Sequence, residues 1–565
     1  MVLAAVFMLP YLPGGMAKNG ELYGFIGGVV EARDALAEGQ FPVRVAPTHS
    51  DGRRIPLFQF YGNLPYTFPA LLNATIEKNP YAAWKMAMFA TLVFGGWAMH
   101  GLVWAWTRRR MAAVAAVVVF LSAPYLFTNL HDRGAMSELT AVCLLPAALW
   151  ATWRTLVRPG WINPMLSAAA WAGVAYSHNI TYLYGATFAA AWVVSMLPGG
   201  VRSPRRLVRR VGRLMVAAAV HGAMVAWYLA PQVALMDRIH IGNLTFTPWF
   251  FHELTPLHVL LWPTLRTPEI STIPRLGLQV GWLVMASVLL ATVMVALGRG
   301  AIKAPAVRST NAGGGRGRMP TPGRLSRGLI VRLTLLWLVA FVVAWQPIDF
   351  WDQVPKKFHF VQFSYRLLGF TSLFGAILAG LAVSRLRPGR ARLAVFAMGL
   401  AGAALTCWAY LPTMGPDDYH ARGNWRWIVA KPDVGAGADA YLLVPGPQAA
   451  RPAHATERIT AEQVAERRRP DGRARFEVNV KGPSPAWVTL PVLEYPGMLT
   501  VQVDETPVAY GADGPLVVLE VPPGQHTVRV WFTGLRWANT ASIVGWGVCL
   551  VMLGAGAVRR LRQVH

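Results

Sequence analysis

Six short basic stretches, Arg108–Arg110, Arg154–Arg158, Arg202–Arg213, Arg299–Arg332, Arg385–Arg392 and Arg559–Arg562, lie in gaps between long apolar runs and carry the chain's entire net charge. They hold 26 of its 53 Lys and Arg residues and none of its 27 Asp and Glu, so the rest of the chain is balanced and the formal charge of +26 sits in the gaps. Apolar runs long enough to cross a bilayer, for which about 20 residues are needed, occur near 82–105, 111–129, 138–156, 163–178, 180–198, 214–235, 277–298, 329–346, 361–384, 393–411 and 538–558. A shorter run, Val2–Leu12, precedes them and reads as a truncated first span, not as a cleaved signal. Counting it gives twelve. With the chain starting inside, all six basic stretches then fall on the cytoplasmic side, the positive-inside pattern of a polytopic membrane protein. A pI near 10.7 therefore points to loops facing anionic lipid and not to nucleic acid.

The fold expected from this pattern is an α-helical polytopic membrane protein of about twelve transmembrane helices with an added β domain. Residues 1–412 form the helical domain, with a long first outer loop at 14–81 in which 20–38 is expected as an amphipathic helix on the membrane surface. From 413 to 536 charges return, and short β-rich runs alternate with turn residues: Tyr441–Val444, Arg475–Val480, Ala486–Leu490, Leu499–Val503, Leu516–Val521 and His526–Phe532. Val501 and Val503, then Val517, Leu519 and Val521, keep the period of two that half-buried strands show. This predicts an extracytoplasmic β-sandwich, preceded by an Arg/Ala/Glu-rich 449–472 that forms a helix or a mobile loop. Residues 537–565 supply a last transmembrane helix and a basic cytoplasmic tail. Residues 300–328, rich in Gly, Pro and Ser, read as an inner linker touching lipid.

Chemistry is expected on the outer side, where the acids near the membrane boundary lie. Asp132 and Glu138 bracket Arg133 where one span ends and the next begins. That trio reads either as an interfacial ion pair with a helix-capping carboxylate or as a phosphate-binding arginine beside an acid that orients or deprotonates a hydroxyl. His178, followed by Asn179, ends a span and reads as a hydrogen-bonded interfacial histidine or a catalyst. Arg366 opens a span just inside the outer boundary, where a charge without a partner is costly. The three cysteines, Cys143, Cys407 and Cys549, fall inside apolar runs as small core residues, with no zinc spacing. Walker, dinucleotide and nucleophile-elbow motifs are absent from the sequence.

Four segments carry a resemblance to a known group. They are Ala35–Pro42 with Phe58–Tyr66; Arg133-Gly134-Ala135-Met136-Ser137-Glu138 followed by Pro146; Ser177-His178-Asn179 with Gln362-Phe363-Ser364-Tyr365-Arg366; and Tyr495-Pro496-Gly497 leading to Val503-Asp504 and Pro522-Pro523-Gly524-Gln525-His526. Together the chain resembles bacterial membrane proteins of the YfhO type and those labelled 6-pyruvoyl-tetrahydropterin synthase-related, which in turn resemble GT-C glycosyltransferases. The resemblance implies a bacterial inner-membrane enzyme that takes a sugar from a polyprenyl-phosphate carrier on the outer face and passes it to an envelope glycan, lipid or protein. It implies catalytic roles for Glu21, Asp132 and Glu138, donor-phosphate binding by Arg133, Arg366 and His178, and support from Gln362 and Asn179. GT-C enzymes carry an essential carboxylate, usually Asp, early in the first outer loop, where it orients the acceptor or coordinates a metal. Here Gly20-Glu21-Leu22-Tyr23 stands in that place, and Phe25 stands where the accompanying histidine is expected. Glu21, another acid such as Asp34 or Asp132, or no residue at all then fills the role, and a divalent metal is left open. The alternative is a non-catalytic scaffold or export component of a polysaccharide system, with the β domain as its binding module.

Overall fold

An apolar run in lipid has no water to satisfy its backbone, so it closes its own hydrogen bonds as a helix. The apolar runs fold accordingly in the computed structural model, which describes residues 1–18, 21–49, 53–197, 204–236, 257–261, 277–297, 327–355, 361, 363–412, 457–468 and 474–561. The helices used below are α1 (Val2–Met8), α2 (Leu22–Ala37), α3 (Leu64–Thr75), α4 (Pro80–Thr107), α5 (Arg110–Leu121), α6 (Met136–Val157), α7 (Ile162–Ser177), α8 (Asn179–Met196), α9 (Pro204–Ala234), α10 (Trp282–Ala296), α11 (Arg327–Trp345), α12 (Leu368–Arg385), α13 (Arg390–Tyr410) and α14 (Arg536–Leu561). Among the described residues seven helices are long and apolar enough to cross a membrane, or eight if α5 and the bent segment after it are one span. The chain is a multi-pass membrane protein. The remaining expected spans also form helices, but shorter ones, such as the 16 residues of α7 and the 15 of α10. Every residue of α12 is buried, which makes it the central helix of the bundle. The three cysteines are buried and unbridged.

Chain direction sorts the bundle into two ends. Helices α4, α6, α8 and α12 run toward basic stretches, whereas α5, α7, α9 and α13 start from them. Contacts confirm that these stretches share one end. Arg109 donates to the Ser384 carbonyl, and Arg392 Nε donates to the Leu386 carbonyl at 3.0 Å. Arg213 donates to the carbonyls of Arg158 and Leu156, the latter at 3.2 Å. At 22 residues, α6 spans about 33 Å at 1.5 Å per residue, so Glu138 and Arg154 lie at opposite ends of the bundle.

The first loop packs onto the end away from the basic stretches. Its helix α2 forms over the predicted residues, but it is no surface amphipath. Leu22, Gly24–Ala32 and Ala35 are buried, including Glu31, whose Oε2 accepts from the Thr48 amide at 3.0 Å. The pattern of Gly and small apolar residues lets α3 approach closely: a Cβ at Gly28 would lie 2.5 Å from the Tyr66 ring.

Among its described residues the C-terminal region contains nine strands in two sheets: β1 (Glu457–Ile459), β2 (Ala465–Arg468), β3 (Ala474–Val480), β4 (Ala486–Leu493), β5 (Leu499–Val503), β6 (Thr506–Pro507), β7 (Gly511–Asp513), β8 (Leu516–Val521) and β9 (Gly524–Phe532). One sheet has the order β1-β4-β8-β7, the other β2-β3-β9-β5-β6. Inward residues of both, among them Val488 and Leu519 from the first and Phe476, Val501 and Val528 from the second, share one apolar cluster. The expected strands from Arg475 onward all appear; Tyr441–Val444 lies outside the described residues, as does most of 300–328. The segment expected as helix or mobile loop is corrected: its described part supplies β1, paired parallel to β4, and β2, paired antiparallel to β3. Pairing to β4 and β3 overrides the helix preference of Ala, Glu and Arg, because tertiary context routinely outweighs propensity.

This β region sits at the end of the bundle opposite the basic stretches. Tyr495 stacks on Phe60 of the first loop with ring centroids 6.1 Å apart. Arg44 ties the joint: it donates to Gln59 Oε1 (3.1 Å), the Thr533 carbonyl (3.3 Å) and Asn539 Oδ1 (2.6 Å), with the Trp227 ring 4.8 Å away.

Candidate functional site

Helix α5 stops at Ser122 because Pro124 has no amide proton and forces Ala123 into an extended conformation (φ −68°, ψ 129°). The chain resumes at 49° to α5 and ends in a wider π-turn over Thr128–Asp132, closed by Arg133 N donating to the Thr128 carbonyl at 2.8 Å. Such turns recur at functional sites. Here the turn stacks Asn129 beneath Arg133, and Gly134 (φ +69°) reverses the chain into α6. Glycine is required there: a Cβ would lie 2.9 Å from the Leu22 backbone nitrogen. That close approach brings Glu21, at the start of α2, onto the turn, its amide donating to the Arg133 carbonyl at 2.8 Å.

Three of the predicted residues converge directly. Arg133 Nη1 donates to Glu138 Oε2 at 2.8 Å and to Asn129 Oδ1 at 2.9 Å. Arg366 Nε lies 3.7 Å from the same Glu138 oxygen, and the Tyr125 hydroxyl donates to Glu138 Oε1. Glu138 is 1% exposed, Arg133 8% and Arg366 9%, so this is a buried network and not an interfacial snorkel. A carboxylate that accepts from a guanidinium and a phenol, with a second guanidinium beside it, is a poor base. Its chemistry is to draw two arginines to one point.

Arg133 is then held by one nitrogen. Both of its hydrogen bonds use Nη1, and the Tyr365 ring lies against the guanidinium at 5.6 Å. Its Nε and Nη2 make no hydrogen bond to any described residue, and neither is among the sealed polar atoms of the interior. They form the planar two-donor edge that matches a phosphate or carboxylate.

His178 joins the cluster at longer range, within electrostatic reach of Glu138, Arg366 and Arg133. Its Nδ1 caps α8 by accepting from the Thr181 amide at 3.3 Å, so the neutral ring carries its proton on Nε2. Glu21 is exposed, and its charge acts on Tyr61, Arg133 and Tyr365. The Tyr61 hydroxyl is pushed above its ordinary range by burial and by Glu21. The other candidates lie elsewhere. Asp132 Oδ2 accepts from the Gly277 amide at 2.8 Å. Asn179 bridges Gln232 Oε1 (2.8 Å) and the Tyr228 hydroxyl (3.1 Å), bracing α8 against α9. Asp34 pairs with its neighbour Arg33 at 2.6 Å. Gln362 falls outside the described residues. Among the described residues no three His, Cys, Asp or Glu side chains gather as a metal site.

Sequence reasoning missed Tyr125, Asn129, Tyr61 and Tyr365. Asn129 stands four residues before Arg133, a helical spacing that signals contact; Tyr61 and Tyr365 lie within segments that carried the family resemblance. Tyr125 had no signal, since its contact with Glu138 depends on the Pro124 bend. Gly62 seats Tyr61 here: a Cβ would fall 2.1 Å from the Ser177 carbonyl and 3.1 Å from Ser137 Oγ.

No family model and no curated protein matches the chain. Among solved structures, the mycobacterial arabinofuranosyltransferase AftD aligns in two forms at 17% and 16% identity, with TM-scores of 0.43 and 0.41, over 76% of this chain and 29% of that one. ArnT from Cupriavidus metallidurans, bound to undecaprenyl phosphate, aligns at 14% identity and a TM-score of 0.40, over 77% of this chain and 68% of that one. The chain spans less than a third of the AftD length.

Proposed function

We propose that this protein is a glycosyltransferase of the inner membrane that uses a polyprenyl-phosphate-linked sugar on the outer face, in envelope glycan modification or assembly. The observation that carries this is the Nε/Nη2 edge of Arg133, fixed from behind by Glu138 and left open at the end of the bundle opposite the basic stretches. By the positive-inside rule that end faces outward, and the β region with it.

When a sugar leaves a lipid phosphate, negative charge grows on the departing oxygen. Preorganised guanidinium donors stabilise that charge without reorganising. Arg133 holds the phosphate in this reading, Arg366 adds charge beside it, and His178 offers an Nε2–H donor. Glu138 is the anchor of both arginines and not the base. Glu21, exposed and across from Arg133, orients or deprotonates the acceptor hydroxyl. Asp132 holds the Gly277 backbone ahead of α10.

The test is transfer of labelled sugar from a panel of polyprenyl-phosphate donors by purified protein in proteoliposomes. Arg133→Lys keeps the charge and loses the fork, and is expected to lower transfer by about a hundredfold or more, the scale of losing one transition-state donor. Glu21→Gln is expected to lower the turnover rate with little change in donor affinity. Full activity in both variants would overturn the assignment, and no transfer from any donor would favour a scaffold.

A further inference from the structure

The β region has a second place where a ligand fits. Where the β5–β6 hairpin approaches the outward face of the four-stranded sheet, there is an open cleft of about 710 Å³, within the size range of small-molecule sites. Its floor comes from a cross-strand pair. Trp487 on β4 lies opposite Glu520 on β8; because Ala486, Val488, Leu519 and Val521 point into the shared core, both side chains turn outward. The Trp487 side chain is half-buried and lines the cleft. At the rim, His526 Nδ1 and Asp504 Oδ2 are 2.5 Å apart, and Asp504 Oδ1 accepts from the Thr527 amide at 2.8 Å. Tyr510 and Pro522 complete an apolar wall.

Charge selects among ligands. The lining includes two carboxylates, Asp504 and Glu520, one imidazole and no Lys or Arg. Phosphates and carboxylates are repelled, so a lipid phosphate does not belong here. A neutral ligand with an apolar face and several hydroxyls suits this lining: its C–H face lies on the indole, and its hydroxyls meet the carboxylates. A pyranose has both. We infer that this cleft binds a neutral saccharide, with Trp487 as its stacking platform and the carboxylates of Asp504 and Glu520 as its hydroxyl partners, while His526, held between Asp504 and the Pro523 carbonyl at 3.1 Å, fixes Asp504 in place. Binding here does not depend on sugar transfer at Arg133; if both occur, the cleft holds a glycan at the same end of the bundle as the transfer site.

The test is calorimetric titration of the full chain in nanodiscs with short manno-, gluco- and galacto-oligosaccharides, with oligogalacturonate as the anionic counterpart. At least one neutral series is expected to bind, and oligogalacturonate at least tenfold more weakly. Trp487→Ala is expected to weaken the neutral ligand at least tenfold, and Trp487→Tyr by only a few-fold. Asp504→Asn, at an exposed turn position that Asn tolerates, removes a charge without touching the core and is expected to narrow the neutral-over-anionic preference several-fold. Absence of binding by every neutral series, tighter binding of oligogalacturonate, or indifference to both Trp487→Ala and Asp504→Asn would overturn the inference. Arg133→Lys separates the two sites: it is expected to leave oligosaccharide binding unchanged, so lost transfer with intact binding bears on the membrane site alone.

Discussion

Removing the charge of Glu138 tests the centre of the candidate site most directly. In Glu138→Gln the side chain keeps its shape, but Arg133 loses its carboxylate at 2.8 Å and Arg366 its neighbour at 3.7 Å. Two unit charges at about 4 Å interact by about 4 kcal/mol at an effective dielectric constant of 20, and breaking a buried pair from one side typically costs about 3–5 kcal/mol. With Glu138 only 1% exposed, little water is at hand to offset the loss. Thermal melting in nanodiscs should therefore drop by about 10 °C, at roughly 2–4 °C per kcal/mol for a large domain. The double variant Glu138→Gln with Arg133→Met removes both partners and should melt higher than the sum of the single effects predicts, by a coupling energy of about 2–3 kcal/mol. If the single variants cost under about 1 kcal/mol and their effects simply add, Glu138 does not anchor Arg133, and the argument for a preorganised fork fails.

Arg44→Ala should destabilise the joint between first loop, α9, α14 and the β region by about 3 kcal/mol, since hydrogen bonds to a charged group are worth about 1.5–3 kcal/mol each and are not additive; Arg44→Lys should rescue less than half, because a point charge cannot reach Gln59, Thr533 and Asn539 together. Glu505 sits in the β5–β6 turn at φ +73°, and Glu505→Gly should raise the melting temperature of the β region by the equivalent of about 0.5–1 kcal/mol, outweighing the exposed pair it makes with Arg529. Asp504 is held below the usual carboxylate range by the Thr527 amide and His526, while its hydrogen bond raises His526 above the usual imidazole range. The Asp504 contribution is present above about pH 4 and lost as pH falls through its depressed value; the His526 contribution is present below about pH 6.5 and lost as pH rises through its raised value. The pair should therefore stabilise most between about pH 4 and 6.5, by less than about 1 kcal/mol since Asp504 is half exposed. His526→Ala should lower the melting temperature inside that window and remove the fall above it.

The helices and the polarity of the bundle were legible in the sequence because both follow from local chemistry. Apolar runs must close their own hydrogen bonds, and basic residues collect where loops meet one side. The strands from Arg475 onward were legible for the same reason, as their period of two is written residue by residue. What failed was what depends on partners. The segment around Glu457–Arg468 has helix-favouring composition but lies against β4 and β3, and pairing across 29 residues, from Glu457 to Ala486, leaves no local trace. The acids scattered along α2 suggest a surface helix, yet Glu31 is buried against Thr48.

The same distinction orders the site. Arg133, Glu138 and Arg366 stood out because a charge at the edge of an apolar run needs a physical reason. The sequence and the resemblance together give catalytic roles to Glu21, Asp132 and Glu138, with Glu21 or Asp132 as base or acceptor orienter. Geometry divides them by what each already holds: Asp132 accepts the Gly277 amide, Glu138 accepts Arg133 and Tyr125, and Glu21 stands exposed at the mouth. A base must be able to take a proton, and an anchor must not. By that criterion the proposed reading leaves Glu21 as the acid for chemistry, an exposed carboxylate at the start of α2 that stands outside the buried cluster.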